Sequence, residues 1–168
     1  MSKPDDGTIL EEIEVHKLFE AVLSILANQL NNYCNCYTVD IADNLPKIYG
    51  NVQQLEQVFI NLLLNALQST PDKIGEIRIT AKYNKDSEKI VLKIQDEGVG
   101  IPQESLEKIF LPFFTTKLDK GGTGLGLSIC QSILSKHSGC IEVYSRPVKG
   151  TEVRVNLPRA PQIKGTNS

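Results

Sequence analysis

"NVQQLEQVFINLLLNALQS", residues 51–69, carries the strongest helical signal in the chain. Leu55, Val58, Phe59, Leu62, Leu63 and Ala66 recur at spacings of three and four, which lines one face of a helix with apolar groups. Asn51 stands where a side-chain oxygen caps the first turn. Beside the apolar face runs a second stripe of amides, Gln54, Gln57, Asn61, Asn65 and Gln68. Asn61 and Asn65 are the informative pair, because they interrupt an otherwise apolar run, "FINLLLNAL". Buried amides must find hydrogen-bond partners, so each can simply bridge backbone groups. An amide oxygen is also a neutral ligand for Mg²⁺, which takes oxygen donors and keeps several waters when it holds nucleotide phosphates.

Outward from this helix the pattern alternates between the two element types. "KLFEAVLSILANQL", residues 17–30, has helical spacing, whereas "CYTVDIA", residues 36–42, alternates as a strand does. Two strands follow at "GEIRITAKY" and "KIVLKIQD", joined by the polar turn "NKDSE". A short helix is expected at "PQESLEKIF", then the irregular "LPFFTTKLDKGG", then a long helix over "GLGLSICQSILSKH" that stops near Gly139. "GCIEVYSR" and "GTEVRVNLP" close the chain as strands around a Pro/Gly turn. The order implies an α+β fold, a two-layer α/β sandwich with a mixed, mostly antiparallel sheet of about five strands packed on three helices. The expected organisation is a flexible N-terminal segment at 1–14, one domain at 15–158 and a flexible tail at 159–168.

A chain of 168 residues with 40% hydrophobic and 23% charged residues fits one soluble domain. A net charge of −2 supplies no basic field, so nucleic acid is not an expected partner. No apolar run reaches the roughly 18–20 residues that span a bilayer, and no secretory signal opens the chain. Membrane contact is therefore not expected of this domain, and the expected location is the cytoplasm. Cys34, Cys36, Cys130 and Cys140 fit neither a zinc framework nor a C-x-x-C redox pair, so reduced, mostly packed thiols are expected.

Three further segments carry candidate chemistry. In "DEGVGIP", Asp96 ends a strand and precedes Gly98, Gly100 and Ile101. Its carboxylate can accept a hydrogen bond from an exocyclic amine, selecting adenine over guanine, or it can close an Asx turn on its own backbone. "FLPFFTTK" carries Phe110 and Phe113 in a stretch without a clear period, as a lid would; core filling is the rival role, above all for Phe110. Lys117 is the cation of the adjoining "TTK" edge, after Thr116, and so the candidate phosphate contact. "GGTGLGLSIC", residues 121–130, sets Gly121, Gly122, Gly124 and Gly126 ahead of a helix. Glycine lets a backbone approach a ligand closely, and a helix N-terminus offers N–H groups to anions, so a nucleotide phosphate is the first ligand to consider.

Taken in order, "NLLLNA", "DEGVGIP", "FLPFFTTK", "GGTGLGLSI" and "KGTEVRVNLP" resemble the ATP-binding catalytic domain of bacterial sensor histidine kinases over roughly residues 15–158. "NALQS" and "PFFTTK" look most like the nitrogen-regulatory and sporulation-type kinases. The resemblance implies a Bergerat-type ATP-binding fold that binds ATP with Mg²⁺ and transfers the γ-phosphoryl group to a histidine. It assigns Asn65 to Mg²⁺ and Asn61 to the same site one turn earlier. Asp96 would read the adenine amino group, with Gly98, Gly100 and Ile101 shaping the pocket wall. Phe110 and Phe113 match the lid aromatics, and Thr116 and Lys117 its edge. Gly122, Thr123, Gly124, Leu125, Gly126 and Leu127 match the phosphate loop, and Gly150 and Thr151 the last box, beside the base.

Three departures stand out. Gln68 occupies a position where many relatives carry lysine, and Thr115 one where many carry arginine or lysine. Neither His16 nor His137 lies in a phosphoacceptor context; His16 is expected at the start of the first helix and His137 at a helix C-terminus, which favours a partly cationic ring. The implied partners are therefore a dimerisation domain bearing the target histidine, absent from this chain, and a downstream response regulator. ATPase and serine-kinase relatives of the same fold usually have glutamate where Asn61 stands, and an amide cannot act as a general base. A binding module without kinase activity is the remaining alternative.

Overall fold

The computed structural model describes residues 9–33, 36–69, 76–98, 100, 101, 103–106, 108, 109, 126–146 and 150–161. Five strands form the main sheet: β2 (Cys36–Ile41), β4 (Glu76–Asn84), β5 (Lys89–Asp96), β6 (Cys140–Arg146) and β7 (Gly150–Pro158), in the order β2-β4-β5-β7-β6. β2 runs parallel to β4, and the other pairs are antiparallel. A separate antiparallel ribbon joins β1 (Glu11–Ile13) to β3 (Ile48–Gly50), pairing Glu11 with Gly50 and Ile13 with Ile48.

Alternation decides which face of the sheet is covered. Ile77, Ile79 and Ala81 of β4, Ile90, Leu92 and Ile94 of β5, and Val155 and Leu157 of β7 are buried on one face. The opposite face carries Arg78, Lys82, Lys93, Glu142, Glu152 and Arg154, as a two-layer sandwich with one wet face requires. The β4–β5 turn is held by Asn84 Oδ1, which accepts from the backbone N–H groups of Asp86 at 2.9 Å and Ser87 at 3.3 Å.

The helical layer contains α1 (Val15–Ile25), α2 (Ala27–Tyr33), α3 (Val52–Ser69), the short α4 (Gln103–Leu106) and α5 (Gly126–Lys136). α3 bears out the expectation built on residues 51–69. Asn51 Oδ1 accepts from the Gln54 N–H at 2.8 Å, and Leu55, Val58, Phe59, Leu62, Leu63, Ala66 and Leu67 are buried. Its apolar face meets α1 through Phe19 and Phe59, whose ring centroids lie 4.9 Å apart.

The sequence pattern differs from the structure in four local respects. The single helix expected at 17–30 is two, because Leu26 leaves helical geometry at φ −96°, ψ 12°, while Leu26 and Leu30 both stay buried. His16, the second residue of α1, stands at the start of the first helix as expected, and its Nε2 lies 3.3 Å from the Ala42 carbonyl. The thiols of Cys36 and Cys140 are exposed rather than packed, since β2 and β6 are the edges of the sheet; Cys130 is buried. β1 falls within the stretch expected as a flexible N-terminal segment. In the stretch expected as a tail, Ala160 is buried and donates its N–H to the Lys47 carbonyl at 2.6 Å. Among the described residues, no helix is long and apolar enough to cross a membrane.

Candidate functional site

Asp96, Thr151 and Ser145 form a row across three strands. Asp96 pairs with Thr151 in the β5–β7 register, and Thr151 pairs with Ser145 in the β6–β7 register. All three share the parity of Ile94, Val153 and Val143, so their side chains project toward the helical layer. Thr151 is only 9% exposed, which makes its hydroxyl a buried polar group in need of partners.

Asp96 Oδ1 accepts the Gly98 N–H at 2.8 Å, closing the Asx turn weighed above. That bond uses one of four lone-pair positions on the carboxylate, so turn formation and ligand recognition are compatible. Gly100 has φ 78° and Gly150 φ 96°, backbone conformations that side chains rarely adopt. At Gly150 a Cβ would also sit 2.0 Å from the Asp96 carbonyl oxygen, so any side chain there would push β7 away from the Asp96 turn. Ile101, half-buried, donates its backbone N–H to Ser145 Oγ at 2.7 Å. The segment after Asp96 is thereby tied to β6.

Asn61 and Asn65 are both half-buried on α3, the helix that lies on β5 and against α5. Asn61 Nδ2 faces Cys130 Sγ of α5 at 3.9 Å, and the thiol donates to the Val58 carbonyl at 3.7 Å. Burial pushes the Cys130 thiol up from its ordinary 9.0 to about 11. Asn61 thus has the structural role open to it in the sequence, bridging α3 to α5, with its carbonyl oxygen left to accept elsewhere. Gln68 is exposed, and Leu127 is half-buried against the core. Phe110, Phe113, Thr116, Lys117, Gly122, Thr123, Gly124 and Leu125 lie outside the described residues; Gly126 begins the range of α5.

Three contributors went unmarked by the motifs. Ser145 was discoverable, since Ile141, Val143 and Ser145 share one strand face and a serine there is polar on the core-facing side. Cys130 announces nothing in sequence, because its partners lie on another helix. His137 is buried beyond the end of α5, and its Nε2 accepts the Asn51 N–H at 3.1 Å while Nδ1 meets the Ile133 carbonyl at 2.8 Å. Accepting through Nε2 and donating through Nδ1 is the hydrogen-bonding pattern of the neutral tautomer, where the helix end favours a partly cationic ring.

The chemistry of these groups fits a nucleotide. A carboxylate and a buried hydroxyl at the sheet end suit a base with exocyclic hydrogens, and amide oxygens on the facing helix suit a hard cation whose other ligands come from phosphate and water. Among the described residues, no group of three His, Cys, Asp or Glu side chains gathers to hold a metal by itself.

Known proteins resemble this chain in sequence and in fold. Residues 50–161 match the family model for histidine kinase-, DNA gyrase B- and HSP90-like ATPases. Sporulation kinase E of Bacillus subtilis (strain 168) is 36% identical over 158 residues, which are 94% of this chain and 21% of that protein. The chain therefore spans about a fifth of that relative's length. The nucleotide-free catalytic domain of the histidine kinase ThkA superposes with a TM-score of 0.77 at 30% identity, covering 90% of this chain and 96% of that one. ThkA solved in complex with the response regulator protein TrrA gives a TM-score of 0.73 at 29% identity, over 90% of this chain and 42% of that one. The chain belongs to the histidine kinase-, DNA gyrase B- and HSP90-like ATPase family, as an ATP-binding domain of the histidine kinase catalytic type.

Proposed function

We propose that this chain is the catalytic domain of a two-component sensor histidine kinase, binding Mg²⁺-ATP and directing its γ-phosphoryl group to a histidine on a dimerisation domain outside the chain. The observation that carries the proposal is the register pairing of half-buried Asp96 with buried Thr151, which the lack of a side chain at Gly150 permits, at the end of a histidine-kinase-type sheet.

Each residue has a defined task. Asp96 accepts from the adenine amino group, and Gly98, Gly100, Ile101 and Thr151 shape the wall around the base. Asn65 offers its amide oxygen to Mg²⁺, and Asn61 lines the same helix face one turn earlier. Lys117, Thr116 and the glycines 122, 124 and 126 serve the phosphates, with Phe110 and Phe113 on the lid. Bound Mg²⁺ supplies charge neutralisation for phosphoryl transfer, a reaction that otherwise needs mainly positioning. Asn61 has no basicity, so activation of the attacking histidine falls to the partner domain. This favours a kinase over a water-activating ATPase. A cytoplasmic location and a downstream response regulator belong to the same proposal.

Gln68, exposed where many relatives carry lysine, favours the second possibility, an ATP-binding module without kinase activity. One experiment separates them. Titration with a non-hydrolysable ATP analogue, with and without Mg²⁺, should show metal-dependent binding. γ-Labelled ATP should leave the chain alone unlabelled and should label the dimerisation domain of its own full-length protein when that domain is added. Binding without transfer supports the module; no binding sinks both.

A further inference from the structure

We infer that Ser145 is a positioning residue that turns the Thr151 hydroxyl into a hydrogen-bond acceptor toward the base, and so sets the preference of this pocket for a 6-amino over a 6-oxo purine. The inference rests on the adenine-binding role proposed above.

Its basis is the hydrogen-bonding capacity of one oxygen. Ser145 Oγ lies 2.7 Å from the Ile101 backbone nitrogen, 3.2 Å from the Gly150 carbonyl oxygen and 2.9 Å from Thr151 Oγ1. A serine hydroxyl has one proton and two lone pairs. The amide of Ile101 can only donate, so it takes one lone pair. The carbonyl of Gly150 can only accept, so it takes the proton. A hydroxyl can do either, and the one assignment that makes all three contacts hydrogen bonds has Thr151 donating to the remaining lone pair of Ser145. The Thr151 proton then points toward β6, and its lone pairs point elsewhere.

Thr151 pairs with Asp96 in the strand register, and an ionised carboxylate is also acceptor-only. The polar groups at this end of the sheet consequently present acceptors side by side. A 6-amino group supplies hydrogens to such a pair. A 6-oxo group opposes acceptor with acceptor and leaves buried groups unpaired, the arrangement that gives polar pockets their sharpest discrimination. Without the Ser145 hydroxyl, Thr151 can rotate its proton toward the ligand and satisfy a 6-oxo group.

The test is the ratio of ADP to IDP affinity, measured by calorimetry on the parent chain and on Ser145→Ala, Ser145→Thr and Thr151→Val. IDP differs from ADP at position 6 and in the N1 proton, with the phosphates unchanged. The parent should prefer ADP. Ser145→Ala should lower the ratio about tenfold, the worth of one hydrogen bond in a buried site, and Ser145→Thr should restore it. Weakening of both nucleotides in parallel in Ser145→Ala would overturn the inference and leave the ATP site standing, because it would show that the serine only holds the loop. Should Ser145→Ala fail to fold, Thr151→Val decides: a lowered ratio supports the inference and an unchanged one overturns it. A parent chain that binds neither nucleotide removes the adenine role itself.

Discussion

The imidazole of His137 accepts the backbone N–H of Asn51 at 3.1 Å, joining the residue after α5 to the residue before α3. Gly50 makes room for that ring, since a Cβ there would lie 2.2 Å from His137 Cδ2. The two helices that carry Asn61, Asn65 and Cys130 are thus clamped at one end by a histidine seated on a glycine. His137→Ala should cost about 1–3 kcal/mol through the lost bond and the cavity. Gly50→Ala should cost a similar amount by overpacking, about 1–3 kcal/mol. In the His137→Ala background most of the Gly50→Ala penalty should vanish. Urea denaturation of the full double-mutant cycle checks this, and simple additivity would show that the ring is not what glycine accommodates.

Cys130 predicts a loss of stability in alkali. The folded protein holds this thiol protonated up to about pH 11, whereas the unfolded chain ionises it near 9.0. Folding therefore binds the proton more tightly, and the contribution is fully present below pH 9. Between pH 9 and 11 it should fall by up to about 1.4 kcal/mol per pH unit. Subtracting the pH profile of Cys130→Ala isolates the term from other titrating groups. A flat difference between the two proteins would mean that the thiol reaches water.

Asp96→Asn preserves an oxygen for the Gly98 turn but removes the charge and turns the other acceptor oxygen into a donating NH2. ADP affinity should drop by roughly 1–3 kcal/mol, the cost of weakening a charge-assisted hydrogen bond, while the melting temperature without nucleotide stays close to the parent's. Undiminished ADP binding by a folded variant would remove Asp96 from base recognition.

Asn65→Ala separates the metal from the base. Affinity for a Mg²⁺-ATP analogue should fall by about 10-fold or more, the scale of a lost charged-group contact, with much less effect on ADP in the presence of EDTA. Equal losses for both ligands would assign Asn65 to the structure of α3 alone.

Regular elements were legible wherever a local period expressed the burial pattern. Leu55 through Ala66 declare α3, and Ile77/Ile79 and Ile90/Leu92/Ile94 declare β4 and β5, because one helical face or one sheet face is dry. β1 and β3 were not legible, since each is only three residues long and exists through pairing with the other, Glu11 with Gly50, far away in sequence. The same holds for the site. Asp96 and Thr151 belong to motifs that can be read by eye, and Ser145 shows as a polar residue on a core-facing strand face, but its contact with Ile101, like that of Cys130 with Asn61, joins residues that no spacing rule connects.

The β5–β7 pairing has a kinetic consequence. It closes a loop of chain that contains α4 and α5, and it is the step that sets Asp96 opposite Thr151. Loop closure on this scale is entropically slow compared with forming α3 or the local β4–β5 hairpin. The end of the sheet proposed to hold adenine is accordingly among the last parts of the molecule to come into being as it folds. A nucleotide that grips it acts on the native state and not on partly folded chains, so ADP should slow unfolding while leaving the refolding rate almost untouched.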